Sequence, residues 1–261
     1  VTNYAGDKPS VVEGELWYDS TNQHFKYQYP NTTQAWSTGG NLNTARGELG
    51  AAGISNNSAL AYGGENSPGV QAITESYNGS SWTEVADLNT ARRSFGAAGT
   101  QTAALAIASH PPAGALTESW GGSSWTEVGD LNTGRSQVKG AGSQTAALAV
   151  GGSTALTLTE NWNGSSWTEV ADLNTGRRGG GAVGTPSAAL YFTGQDPSPG
   201  YIANTESWNG SAWSEVSDIN TAREQIAEAG ISTSALGFGG DENPPPVNSA
   251  KTEQWNGSAW T

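Results

Sequence analysis

The sequence contains no cysteine and only two histidines, His24 and His110. Without cysteine there are no disulfides, thiolate metal sites or thiol nucleophiles, and the redox compartment cannot be read. Charge is sparse, at 13% of residues, and basic charge is scarcer still: 11 Lys and Arg against 24 Asp and Glu, a net of −13. Such a chain repels the phosphates of nucleic acid and of anionic lipid heads, so neither is an expected partner. No apolar run approaches the length of a membrane span, and no signal peptide opens the chain. No stretch carries the apolar spacing of a long helix. Glycine and tryptophan are plentiful, at 36 and 11 residues, which implies many short strands joined by tight turns. The chain starts at Val1 and stops at Thr261; the expectation is a piece of a longer protein.

One phrase, "WTEVADLNTAR" from Trp82, recurs throughout. Trp36, Trp82, Trp125, Trp167, Trp213 and Trp260 align at spacings of 46, 43, 42, 46 and 47 residues. A period in the forties fits propeller blades and helical repeats alike, and the local texture decides. In the second copy "SFGAAGT" is small and Gly-rich, "AALAIAS" is short and apolar, and "ALTESW" and "SSWTEV" alternate. These read as four strands, A to D. Asn-Gly pairs between C and D (Asn78-Gly79, Asn163-Gly164, Asn209-Gly210, Asn256-Gly257) read as tight two-residue hairpin turns. A lone four-stranded sheet cannot bury both faces, but sheets set radially cover one another. The expected fold is therefore an all-β propeller of four-stranded antiparallel blades, with strands A starting near Gly47, Arg93, Ser136, Arg178 and Glu224. The expected division is an N-terminal segment, 1–46, completing the first or closing blade, followed by repeats 47–92, 93–135, 136–177, 178–223 and 224–261. Six blades are favoured; five blades plus an N-terminal hairpin is the rival.

The pattern resembles kelch-type propellers: a Gly-rich inner strand, "GG" after strand B, Glu in strand C and Trp in strand D. "GG" stands at Gly63-Gly64, Gly151-Gly152 and Gly239-Gly240, and is replaced by Ala108-Ser109 and Thr193-Gly194. The strand C glutamates are Glu75, Glu118, Glu160, Glu206 and Glu253. "GELWYDSTNQHFKYQ" is similar to a short hairpin of bacteriophage tail-fibre proteins, and "AWSTGGNLNTAR" to repeat propellers of marine phage fibres. That resemblance implies a virion tail fibre, extracellular, whose partners are a host cell-surface glycan or protein and the rest of the fibre.

Antiparallel strands put the A–B and C–D turns on one face and the B–C loops and D–A connections on the other. The first face is nearly uniform. The second is not: its B–C loops read "ENSPGV", "HPPAG", "STA", "QDPSPGY" and "DENPPPVNS", and the residues after each repeat arginine change too. Loops on a rigid scaffold are where recognition tends to sit. The candidate ligand-binding residues are therefore Arg46, Arg92, Arg135, Arg177 and Arg223, one per repeat, with Arg93, Lys139, Arg178, Glu48, Glu224, His110 and Tyr201 nearby. The five arginines have two readings: a clamp for a carboxylate or sulfate, or a structural tie through an acidic side chain or backbone carbonyls.

Catalysis is not expected. Copper oxidases of the galactose oxidase type, which the fold resembles, use a Tyr–Cys cross-link and two histidines. A Ser–His–acid triad would have to draw on His24 or His110. "SYNGSSW" only loosely resembles the Asp-box hairpin of sialidases. A carboxylate pair for glycoside cleavage, on Glu48 or Glu224, is the enzymatic alternative. No cofactor or metal is expected. The expected function is a non-catalytic adhesion module, with a glycan-cleaving propeller and a purely structural repeat as alternatives.

Overall fold

The computed structural model describes residues 38–67, 69–110, 114–153, 156–196, 200–242 and 247–261, together with the backbone of strands Thr2–Tyr4, Leu16–Asp19 and His24–Tyr27. Trp36 and the middles of most B–C loops (111–113, 154–155, 197–199 and 243–246) lie outside the described residues. The described residues are all-β, with no helix among them. The chain forms two compact units, Val1–Gly39 and Gly40–Thr261.

In the first unit Leu16–Asp19 pairs antiparallel with His24–Tyr27, as strands B and C should. The third strand, Thr2–Tyr4, runs parallel to Leu16–Asp19. Strand A runs antiparallel to strand B in each repeat. The N-terminal sheet therefore does not copy the blade pattern strand for strand.

The second unit is a series of blades of the β-propeller type. Blade 1 comprises A Gly50–Ser55, B Ser58–Tyr62, C Thr74–Tyr77 and D Trp82–Val85. Blade 2 comprises Gly96–Thr100, Ala103–Ile107, Thr117–Trp120 and Trp125–Glu127. Blade 3 comprises Lys139–Gly142, Ala147–Val150, Thr159–Trp162 and Trp167–Glu169. Blade 4 comprises Gly181–Thr185, Ala188–Phe192, Thr205–Trp208 and Trp213–Val216. Blade 5 comprises Ala227–Ile231, Ser234–Phe238 and Thr252–Trp255, with Trp260 bridged to Trp255 in the place of strand D. The sheets of blades 1 to 4 are antiparallel in the order A-B-C-D, and that of blade 5 in the order A-B-C.

Strands A of successive blades lie side by side about a central channel of about 590 Å³, lined by their glycines and alanines together with larger residues such as Phe95, Lys139 and Glu228. The glycines serve this approach. A Cβ on Gly140 would stand 2.5 Å from the Ala97 carbonyl oxygen of the preceding blade.

Burial is concentrated between blades. Strand B side chains of one blade, such as Leu105 and Ile107, pack against the two tryptophans of the next, Trp162 and Trp167. Three more cores repeat this at the other junctions of the series. The tryptophans of strands C and D stand opposite each other in register, with ring centroids 5.3 Å apart for Trp162 and Trp167. Each large ring removed from water contributes roughly 2–3 kcal/mol of hydrophobic stabilisation.

Two local expectations need correction. The C–D turn is a four-residue loop, not a two-residue one: Tyr77 pairs with Trp82, and Asn78 N–H donates to the Ser81 carbonyl. Only the glycine takes positive φ (Gly79, +95°), while Asn78 Oδ1 accepts from the N–H groups of Ser80 and Ser81. Asparagine is there for its side-chain oxygen rather than its backbone tolerance. Strands A also begin three residues later than expected, at Gly50, Gly96, Lys139, Gly181 and Ala227. The three residues before them make a turn at the channel mouth.

Candidate functional site

The repeat arginines form a buried latch. Arg46, Arg92, Arg135, Arg177 and Arg223 each meet the strand C glutamate of the blade they enter: Glu75, Glu118, Glu160, Glu206 and Glu253, at 2.5–2.8 Å, with the guanidinium side chains 0% exposed. Their other nitrogens donate to backbone carbonyls, for example Arg177 to Thr193, Thr175 and Tyr191. The second glutamate oxygen is held by an asparagine that the sequence reading passed over. Asn174 donates from both N–H and Nδ2 to Glu206 Oε2 at 2.8 Å, and from Nδ2 to the Trp213 carbonyl. Asn43, Asn89, Asn132 and Asn220 make the same pair of bonds to their glutamates. The recurrence of "NT" before each arginine was the available signal. Burial tends to raise the Glu75 pKa, but Arg46 and the N–H groups of Asn43 and Thr44 outweigh it and hold the carboxyl below its ordinary value. With their charges and donors met inside the scaffold, these five arginines present nothing to a ligand.

Four of the five latch arginines follow an aspartate by five residues, and that aspartate has a different task. Asp87, Asp130 and Asp218 accept from the backbone N–H groups of Thr74, Thr117 and Thr205.

The channel mouth is built from the two residues that follow each arginine. Glu48, Ser94, Gln137, Gly179 and Gln225 occupy one repeat position and share one backbone conformation, with φ of 53°, 50°, 55°, 61° and 53°. Only one of the five is glycine, although a left-handed residue with a side chain costs about 1 kcal/mol or more. A relay of backbone bonds joins them from blade to blade. Gln225 N–H donates to the Gly179 carbonyl (2.7 Å), Gly179 to Gln137 (3.3 Å), Gln137 to Ser94 (2.7 Å) and Ser94 to Glu48 (3.1 Å). Each B–C loop is stitched to the D–A connection beside it, as in the Gly47–Glu65 and Arg178–Gln195 pairings and the His110 N–H to Arg93 carbonyl bond. The described ends of the "HPPAG" and "QDPSPGY" loops thus lie on the same face. On blades 1 and 5 the loops extend into small hairpins, Glu65–Asn66 with Gly69–Val70 and Asp241–Glu242 with Val247–Asn248.

The remaining candidates gather at this mouth or just inside it. Exposed Glu48 accepts from the Ser94 hydroxyl, and Arg93 is shared between Glu65 (2.8 Å) and Glu48 (3.4 Å). Glu224 leans across Gly179, where a Cβ would stand 2.8 Å from Glu224 Cγ, to reach Gln137 Nε2 at 3.3 Å. Arg178 lies 3.8 Å from it. Burial pushes the Glu224 pKa up, against the opposing pull of Arg178 and Gln137. Burial and the charges of Glu224 and Asp241 push Tyr201 up as well. His110 is exposed at the start of the blade 2 loop. Lys139 sits within the channel, where its Nζ pairs with Glu228 at 3.0 Å and links blade 3 to blade 5.

Electrostatics narrow the ligand. Outside the latch, Arg93, Lys139, Arg178 and Lys251 each sit within 4 Å of a carboxylate: Glu65, Glu228, Glu224 and Glu242. Every lysine and arginine whose side chain is described thereby pairs with a carboxylate, while the chain as a whole carries −13. The described residues of the mouth offer amides, hydroxyls and carboxylates, and no unpaired Lys or Arg for a sulfate or uronate. Among the described residues no group of three or more His, Asp or Glu is placed to hold a metal ion. No protein-family model matches the chain, and no curated protein matches it in sequence.

Proposed function

We propose that the chain is a non-catalytic binding module, the host-recognising part of a phage tail fibre, whose ligand surface is the channel mouth with its flanking B–C loops. The ligand is an uncharged or cationic surface group, a polyhydroxylated glycan or a protein loop. The observation that carries this reading is the mouth position itself. Five equivalent residues keep one strained backbone conformation while their side chains change from Glu to Ser, Gln, Gly and Gln. The opposite face repeats an Asn-Gly turn in four of five copies. Strain retained beneath changing side chains is the expected mark of a recognition surface, since packing alone would favour glycine at each copy. The test is a glycan array together with a binding assay on a confirmed host, using the intact fibre and an Arg178→Ala/Glu224→Gln variant. Binding by the parent and its loss in the variant supports the reading. No host binding by the intact fibre overturns it.

Glu224 also supports a glycan-cleaving alternative, because a largely buried carboxyl with a raised pKa is suited to donating a proton. Release of product from host polysaccharide by the parent, abolished by Glu224→Gln, would favour that alternative.

A further inference from the structure

At the mouth the D–A connections lie beside the bases of the B–C loops, and this pairing sets side chains in short rows. Residues directly opposite across a β-bridge project from the same face, with Cβ atoms about 4.5–5.5 Å apart. On blade 4 the row is Arg178, Gln195 and Tyr201, because Gln195 is bridged to both of the others. On blade 5 it is Glu224, Asp241 and Asn248. The two rows meet. The Gly194 N–H donates to the Arg223 carbonyl at 2.9 Å, and Arg178 Nε lies 3.8 Å from Glu224 Oε1. The charges of Glu224 and Asp241 both act on the Tyr201 hydroxyl.

The corresponding rows elsewhere are occupied or short. On blade 1 the row is Gly47, Glu65 and Val70, and Glu65 is already paired with Arg93 at 2.8 Å. On blade 3 the Ser136 and Ser153 hydroxyls bond to each other at 2.7 Å. Between blades 4 and 5 the bonding is incomplete. Arg178 gives Nε and Nη2 to Gln195 Oε1, at 3.0 and 2.5 Å. Arg178 Nη1 and Gln195 Nε2 then make no hydrogen bond to a described residue, and the Asp241 carboxylate accepts none from one. Arg178 is 39% exposed, and Gln195, Tyr201 and Asp241 are partly buried, so a group arriving from solvent can reach them.

Open donors beside an open carboxylate, next to an aromatic ring, match the chemistry of a sugar. A hydroxyl both donates and accepts, so two adjacent hydroxyls can give their protons to a carboxylate and take N–H bonds from a guanidinium or an amide. The C–H face of a pyranose lies flat against a Tyr ring, whose hydroxyl stays in water. Apart from that ring, neither row holds an apolar anchor of the kind on which protein partners centre. One positive charge, Arg178, stands against two negative ones, Glu224 and Asp241. A carboxylate or sulfate on the sugar would meet like charge there.

We infer that these two rows form a subsite for a neutral hexopyranose, held through adjacent hydroxyls. Arg178 Nη1 and Gln195 Nε2 donate to the sugar oxygens, the Asp241 carboxylate accepts from the hydroxyls, and the Tyr201 ring underlies one face of the sugar. The inference rests on the reading of the mouth as the ligand surface, and it narrows the ligand to a glycan.

The test titrates the full chain with the methyl glycosides of glucose, mannose and galactose, and with that of glucuronic acid as the anionic probe. NMR follows the Gln195 side-chain amide and the Tyr201 ring. The expected result is a saturable shift with at least one neutral glycoside, at a Kd on the order of 1–10 mM, and binding of the glucuronide about 10-fold weaker or more. Tyr201→Ala and Gln195→Ala should each weaken the neutral glycoside by about 10-fold at an unchanged Tm, while Ser153→Ala in the blade 3 row leaves it as in the parent. If Tyr201→Ala does not fold, Asp241→Asn takes its place with the same expected loss. No saturable shift with any neutral glycoside at about 100 mM, or a glucuronide bound as tightly, overturns the inference. Host binding by the intact fibre that survives Tyr201→Ala and Gln195→Ala also overturns it, and leaves adhesion to another part of the mouth. Glycoside binding without host binding keeps the subsite and overturns the adhesion reading instead.

Discussion

Arg177 and Arg178 are neighbours in sequence and belong to different regions of the molecule. Arg177 meets Glu206 at 2.7 Å with both side chains 0% exposed, inside a cage of carbonyls and an asparagine clamp. Arg178 stands 3.8 Å from Glu224 at the channel mouth and is 39% exposed. The latch is repeated in blade after blade with one set of residues. The mouth keeps one backbone and changes its residues. Where a charge is fully desolvated its partners cannot vary; where water can reach it they can.

Breaking one member of each pair should separate the regions most widely. Glu206→Gln leaves the Arg177 charge buried and uncompensated, and is expected to lower the unfolding free energy by about 3–5 kcal/mol. Arg178→Ala removes a partly solvated pair and is expected to cost less than about 1 kcal/mol. Urea denaturation of both variants measures the difference. Similar losses would show that the mouth pair is as structural as the latch.

A titration sharpens the same contrast by sign. Burial pushes the Glu228 carboxyl in the channel above its ordinary value, with Lys139 pulling the other way. The Glu75 carboxyl in the latch is held below its ordinary value by Arg46 and two backbone N–H groups, despite burial. A raised acid binds its proton more tightly when folded, so its contribution is full below the ordinary carboxylate pKa and falls as pH rises through the folded value. A lowered acid contributes above its ordinary pKa and loses that contribution as pH falls through the folded value. From acid to neutral pH, the stability of Glu228→Gln relative to the parent should therefore rise, and that of Glu75→Gln should fall. Thermal melts across this window measure the two slopes; slopes of one sign would mean that the two carboxyls do not sit in opposed environments.

Much of the scaffold was legible because it is written several times. The aligned tryptophans gave the period, and alternation around "TESW" and "WTEV" gave strands C and D. The strand C glutamates and the repeat arginines were both visible. Their pairing was not, because Arg92 and Glu118 are 26 residues apart and meet only when the D–A connection folds back over the blade. The Asp at a fixed five-residue offset was the more conspicuous partner in sequence, and it caps a threonine N–H instead. The C–D turn misleads for a related reason: Asn-Gly signals a two-residue turn by backbone tolerance, but here the asparagine side chain bonds forward to two N–H groups. The mouth was located by its variability, while its left-handed backbone was hidden, because Glu, Ser and Gln give no sequence warning of positive φ.

That hidden strain yields the smallest stability effect and the most informative one about function. Gln225 sits at φ +53° at the mouth, where glycine would adopt the conformation without a Cβ penalty. Gly179 does so at the same repeat position. Relief of the left-handed conformation, offset by the greater chain entropy of unfolded glycine, is expected to leave Gln225→Gly more stable than the parent by less than about 1 kcal/mol. The variant keeps the backbone relay, because Gln225 contributes to it through its N–H. If the strained side chains are there to meet a ligand, the variant gains slightly in Tm and loses host binding. A variant that gains stability and binds the host as the parent does would place recognition in the B–C loops alone, with the mouth residues as passive lining.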